Sequence, residues 1–224
     1  MTQLTPAVAH QFEDSEQQHD AASLGMWTFL ATEVMFFGGL LAGFCVYRFT
    51  SYPAFAAASR QLEVLLGGIN TGVLLTSSLT MALAVRAGQL GDRTWQVRYL
   101  LLTMVLGLAF LGIKATEYYH EYEKHLIPGL NFSTAHLHLP ADATSLERRR
   151  SEMFFVFYFF MTGLHALHMV IGLGVVAVIV ILAHRGYFTA EYHTPLEMTG
   201  LYWHFIDIVW VFLFPLLYLI DVHR

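Results

Sequence analysis

Leu201-Tyr-Trp-His-Phe-Ile-Asp-Ile-Val-Trp210, taken with Thr162-Gly-Leu-His-Ala-Leu-His-Met-Val-Ile-Gly172 ahead of it, decides how this chain folds. Both runs are too apolar for a soluble helix surface, yet between them they carry His165, His168, His204 and Asp207. An ionisable side chain near the centre of a bilayer costs about 2.5–3.5 kcal/mol on insertion scales, so such groups need partners. A helical period supplies the means. At about 100° per residue, Trp203, Asp207, Trp210 and Phe214 fall within about 60° of one another, with His204 on the flank of that stripe. In the earlier run Phe154, Tyr158, Met161, His165, His168 and Gly172 likewise share one side. Each segment can turn its polar groups onto a neighbouring helix, and the four ionisable groups are expected to be satisfied inside the chain's own bundle.

Composition points the same way. Of 224 residues 56% are apolar and 13% charged, against roughly 25% charged in a soluble domain. A bilayer span takes about 20 apolar residues, and five such segments fit, at about 26–47, 64–85, 98–119, 153–183 and 198–220. The predicted fold class is all-α, an integral membrane bundle of five transmembrane helices in residues 24–224, behind a polar tail of residues 1–23. Apart from that tail, only the connection between the third and fourth spans is long, so there is no room for a separate soluble domain. Most of the net charge of −5 comes from Glu13, Asp14, Glu16 and Asp20, and the one basic run is Arg148-Arg149-Arg150. This gives no case for nucleic acid as a partner. The single cysteine, Cys45, allows no intrachain disulfide and no thiolate metal cluster, and is expected to pack within the first span. The opening residues have neither a charged n-region nor an apolar h-region, so the first span is expected to direct insertion itself.

Within the spans, Glu33 is a lone carboxyl on the face of Phe29, Phe37, Leu40 and Phe44. Buried membrane carboxyls of this kind are candidates for function, the structural alternative being an interhelical hydrogen bond. Gly39, Gly43, Gly68 and Gly72 are expected at helix contacts, because small residues let backbones approach. Asn70 and Ser77 share a face and can hydrogen-bond across helices for about 0.6–2 kcal/mol each. Lys114 and Glu117 stand three apart at the end of the third span, where a buried ion pair is expected. His120, His125, His136 and His138 follow, but His-x-His alone is weak evidence for a metal, which needs three or four fixed ligands. A b-type haem is disfavoured too: His165 and His168 lie on one helix, whereas two axial ligands must face the iron from opposite sides. A proton-coupled transporter could use Glu33, Glu117 and Asp207 as a relay, but no pair of matching Gly/Pro interruptions supports it.

Five of these runs resemble subunit III of the haem-copper terminal oxidases, the cytochrome c oxidase type in particular. They are Trp203-His-Phe-Ile-Asp-Ile-Val-Trp210, Gly163-Leu-His-Ala-Leu-His-Met-Val-Ile-Gly172, Glu117-Tyr-Tyr119, Glu33 in Thr32-Glu-Val-Met-Phe-Phe-Gly38, and Asn70-Thr-Gly-Val-Leu-Leu75, in register over about 26–220. The chain looks like the shorter bacterial form, beginning at the third of the seven helices of mitochondrial-type members. The resemblance implies an accessory subunit of a bacterial cell-membrane respiratory oxidase, packed on subunit I in a complex with subunit II. It implies no catalytic, cofactor-binding or metal-binding residue in this chain, haem and copper residing in the partners. Bound phospholipid, support of proton uptake and protection during turnover are further implied. The structural, lipid or proton-related candidates are Glu33, Asn70, Glu117, His165, His168, Trp203, His204, Asp207 and Trp210. A subunit III-like component of a quinol oxidase or nitric oxide reductase is the nearest alternative.

The resemblance also implies a cytoplasmic N-terminus. That orientation puts Arg86, Arg93, Arg98 and Arg185 inside and Arg48, Arg60, Lys124, Arg148 to Arg150 and Arg224 outside, against the positive-inside tendency. The five motifs outweigh a charge bias, and the cytoplasmic N-terminus stands as the expectation.

Overall fold

The computed structural model describes residues 11–129, 132–133, 144–190 and 192–220. Among these residues there are six helices and no strand: α1 (Ser15–Thr50), α2 (Tyr52–Ser59), α3 (Val64–Gln89), α4 (Arg93–Glu123), α5 (Ser145–His184) and α6 (Thr194–Tyr218). All but α2 are long and apolar enough to cross a membrane, which gives the five spans expected of an all-α membrane protein.

The helices start earlier than hydropathy alone places them, and their caps say why. Asp14 Oδ1 accepts from the Gln17 amide at 2.8 Å, while Gln17 Oε1 accepts from the Glu13 amide at 2.8 Å. This reciprocal arrangement satisfies orphan amides at a helix start. Residues 15–23, read as tail from their polarity, are therefore the first turns of α1. Thr144 and Glu147 do the same for α5: Glu147 Oε2 accepts from the Thr144 amide at 2.8 Å, and Thr144 Oγ1 accepts from the Glu147 amide at 3.3 Å. That carries Arg148 to Arg150 into the helix. Asp92 starts α4 by accepting from the Thr94 and Trp95 amides, each at 3.1 Å, after Gly91 turns the chain at φ +71. The short α2 has no counterpart among the predicted spans. It has a proline in its first turn and a run of alanines, and its residues 54–59 are all buried.

The chain divides into two compact units. One comprises Met1–Met35, Leu74–Leu108 and His168–Asp207. Trp203 is fully buried there and packs against both α4 and α5: a Cβ on Gly107 would stand 2.9 Å from the Trp203 ring and one on Gly172 3.3 Å from it. The other comprises Phe36–Val73, Ala109–Leu167 and Ile208–Arg224. Here Phe44, Phe55 and Phe154 are fully buried, with centroids 5.4–6.0 Å apart, within the range of favourable aromatic pairs.

The glycine contacts differ from expectation. A Cβ on Gly39 or Gly72 would meet nothing within 4 Å, and on Gly43 or Gly68 only ordinary contacts at 3.8 and 3.9 Å. The close approaches occur instead at Gly107, at Gly67 (2.8 Å to Phe214) and at Gly88 (2.5 Å to Leu196). Small residues permit close approach without specifying which helix face makes it. Cys45, expected to pack, is exposed on α1.

Candidate functional site

In the first unit the polar residues of α5 and α6 meet those of α1 and α3. Glu33 on α1 lies 3.2 Å from His168 Nε2 on α5, with both side chains mostly buried at 19% and 14% exposure. Tyr202 of α6 donates to the His168 carbonyl at 3.2 Å and packs its ring 6.0 Å from Phe29. These groups line a cavity of about 410 Å³ whose wall is otherwise apolar apart from Thr199, with Met26, Ile171 and Val175 among its residues.

Two residues further along α6, His204 Nδ1 is 2.7 Å from Ser78 Oγ on α3. The Ser78 hydroxyl faces Asp207 as well, but without the geometry of a full hydrogen bond. Both carboxyl oxygens of Asp207 are therefore buried with no hydrogen bond among the described residues. The expectation that all four ionisable groups would be satisfied internally thus fails at Asp207, because the one hydroxyl beside it is engaged by His204. Trp203 is held differently: its Nε1 donates to Ser77 Oγ at 3.0 Å, and Ser77 in turn donates to the Thr103 carbonyl at 3.5 Å.

The second unit holds a denser network. Lys114 Nζ on α4 donates to Glu117 Oε2 at 3.0 Å, to Tyr158 Oη on α5 at 3.0 Å and to Tyr218 Oη on α6 at 2.9 Å. Tyr158 donates to Glu117 Oε1 at 3.1 Å, and Tyr218 also donates to Glu117. The expected Lys114–Glu117 pair is thus present, at 3% and 2% exposure. The ammonium sits 5.0–5.6 Å from the ring centroids of Tyr118, Tyr158, Trp210 and Tyr218, where ring quadrupoles attract a cation. Glu121, one turn past Glu117, is 2% exposed and belongs to the same network. Of this network, sequence reasoning missed Glu121, Tyr158 and Tyr218. The signal for Glu121 was its period, since residues 114, 117 and 121 share one helical face.

Three further candidates gather around Phe110. Asn70 Nδ2 donates to the Phe110 carbonyl at 3.4 Å. The rings of His165 and Trp210 lie 5.4 and 4.9 Å from that of Phe110 and 5.1 Å from each other. Trp210 Nε1 donates to Thr71 Oγ1 at 3.1 Å. Among the described residues no three His, Cys, Asp or Glu side chains come together as a metal ion would require. His120 pairs instead with Glu63 at 3.2 Å, while His136 and His138 lie outside the described residues. The two clusters provide charge-bearing groups enclosed by helices.

Comparison with known proteins bears on the same segments. A profile of the family "Cytochrome c oxidase subunit III" matches residues 150–222, which hold most of α5 and all of α6. The chain is 34% identical over 200 residues to cytochrome c oxidase subunit 3 of Alkalihalophilus pseudofirmus, covering 89% of this chain and 86% of that protein. It is 28% identical over 209 residues to the subunit 3 of Thermostichus vulcanus, with 92% of each chain covered. With the subunit 3 of Cyprinus carpio it shares 31% identity over 202 residues, 67% of that longer chain. Five membrane-spanning helices and these alignments along nearly the whole chain lead to one assignment: this multi-pass membrane protein belongs to the cytochrome c oxidase subunit III family.

Proposed function

We propose that this chain is the non-catalytic subunit III of an aerobic haem-copper oxidase of the cytochrome c oxidase type. It lies in a bacterial cell membrane with its N-terminus in the cytoplasm. It packs on subunit I within a complex that includes subunit II, and haem and copper reside in those partners. Its work there is to hold structural phospholipid and to support proton uptake and stability during turnover.

The observation that carries this reading is the Glu33–His168 pair, 3.2 Å apart, in an apolar-walled cavity between α1, α5 and α6. An acyl chain suits the wall, while the ionisable pair suits a headgroup or a proton. Intramembrane ionisable groups are retained where they serve such purposes.

The test uses the purified complex. Glu33→Gln keeps a side chain that can hydrogen-bond His168, whereas Glu33→Ala removes it. Both variants are expected to assemble and to start consuming oxygen at the wild-type rate, because the chemistry belongs to subunit I. The Ala variant is expected to retain less phospholipid and to lose activity over fewer turnovers than the Gln variant. Immediate loss of oxygen uptake in the Gln variant would assign the carboxylate itself to proton movement. Identical turnover lifetimes and lipid content in all three forms would refute the role given to this cavity.

A further inference from the structure

A second cavity, of about 400 Å³, lies in the same unit between the start of α1, the end of α3 and the first turns of α6. It is lined by His19 and Ser23 of α1, Ala82 of α3, and Glu197 and His204 of α6. Two of these lining residues, His19 and Glu197, are tied to polar side chains at the neighbouring helix ends. His19 Nδ1 is 3.1 Å from Thr194 Oγ1, Gln89 Nε2 donates to Glu197 Oε1 at 2.8 Å, and His193 Nε2 is 3.2 Å from the same oxygen. At about 1.5 Å per residue, His204 lies roughly 10 Å deeper along α6 than Glu197, and Asp207 roughly 15 Å deeper. That places Asp207 near mid-depth of a hydrocarbon core about 30 Å thick.

A space of this size holds water where polar groups reach it, and His19, Ser23, Glu197 and His204 do so among otherwise apolar lining residues, which meets the need for room and two to four polar partners. Behind His204 stand Ser78 and then Asp207, whose two oxygens are buried with no hydrogen bond among the described residues. The group facing Asp207 from α3 is the uncharged Ser78, and the titratable group beside it on its own helix is His204. No ion pair involves Asp207 among the described residues. A carboxyl near the middle of a membrane-spanning helix, with no cation and only the Ser78 hydroxyl shared with His204 beside it, is costly to keep unless it does something.

We propose that this cavity is a water-filled inlet and that Asp207 is a proton-exchanging site at its inner end, reached through His204 and Ser78. A proton arriving from water at Nε2 of His204 releases the proton on Nδ1 to Ser78 Oγ. The Ser78 hydroxyl proton then passes to a carboxylate oxygen of Asp207. The reverse sequence returns it, with the imidazole changing tautomer each way. This site is distinct from the Glu33–His168 cavity and goes beyond the function proposed for it.

The experiment follows the proton itself, so its outcome is separate from oxidase activity. The complex in lipid bilayer discs is transferred to D2O at several pH values, and the carboxyl C=O stretch lost in Asp207→Asn is followed by infrared difference spectroscopy. In wild type that band is expected to shift as soon as mixing is complete. In Ser78→Ala the shift is expected to slow by about tenfold or more, the factor that a local opening of about 1.4 kcal/mol imposes. Ser78→Thr, which keeps the hydroxyl, restores the fast shift. Ala82→Phe, which fills the cavity and leaves the relay intact, slows it as well, and serves if Ser78→Ala does not assemble. A wild-type band that exchanges as slowly as the core amides overturns the inlet. Wild-type speed in both slowing variants overturns the route. Absence of any Asp207-dependent band at every pH where the complex is intact overturns the site.

Discussion

Replacing Lys114 by Met tests the second cluster most directly. Met keeps much of the stem that crosses the aromatic rings and removes only the ammonium. In the wild type that ammonium holds Glu117 at 3.0 Å and two tyrosine hydroxyls at 2.9 and 3.0 Å, with Glu121 close by and all four groups essentially buried. Lys114→Met therefore leaves buried Glu117 with no cation and leaves buried Glu121 with only Lys124. Removing one partner of a buried pair costs about 3–5 kcal/mol, or roughly two to three and a half powers of ten in the folded-to-unfolded ratio. Adding Glu117→Gln in the same chain removes one of the stranded carboxyls, and Tyr158 and Tyr218 can still donate to the amide oxygen. The double variant is expected to regain part of the loss, short of wild type because Glu121 remains. The assay is the SDS mole fraction at which the subunit leaves the purified complex and loses helicity. The reasoning is refuted if Lys114→Met withstands as much SDS as wild type. A double variant no more stable than the single one would show that the cost is packing around the rings and not stranded charge.

Four more substitutions discriminate in the same assay. Gly107→Ala would put a methyl group 2.9 Å from the fully buried Trp203 ring and 3.0 Å from Leu173, and is expected to cost about 1–3 kcal/mol. Gly39→Ala, which meets nothing within 4 Å, is expected to leave stability unchanged or to raise it by up to about 1 kcal/mol through helix propensity; equal losses in the two would remove close packing as the explanation. Trp203→Phe keeps a ring but takes the donor from Ser77, at an expected cost of about 1–3 kcal/mol, and simultaneous Ser77→Ala should make that loss smaller than the sum of the two.

The five spans were legible because a membrane helix must be apolar over its whole crossing, and that is a property of local sequence. The starts of α1 and α5 were legible too, but in a different signal: Asp14 with Gln17 and Thr144 with Glu147 have capping spacing that hydropathy ignores. What local sequence holds least is which neighbour a helix face meets. In lipid a helix is apolar on every side, so the usual contrast between a buried and a wet face is weak, and the glycines show the consequence. Gly39 and Gly43 have the spacing of a close crossing, yet Gly107 and Gly67, which have no such partner in sequence, make the tight contacts. Only the polar residues escape this ambiguity, since each must find a partner or serve a purpose.

That same requirement separates the candidates from one another. Glu33 and His168 have found each other, Lys114 and Glu117 are bound into one network, and Trp203 and Trp210 each have a hydroxyl to donate to. The retention of Lys114, Glu117 and the two tryptophans is accounted for by the folded chain itself. Asp207 is not: its burial is complete to within 2% and its helix supplies His204 only by way of Ser78. A carboxyl that the fold leaves without a full hydrogen bond, behind a cavity reached by His19, Ser23, Glu197 and His204 and a hydroxyl that can pass a proton inward, is placed for exchange with water more than for cohesion. Removing Asp207 should therefore cost the subunit less stability than removing Lys114, although both are ionisable, buried and inside the membrane.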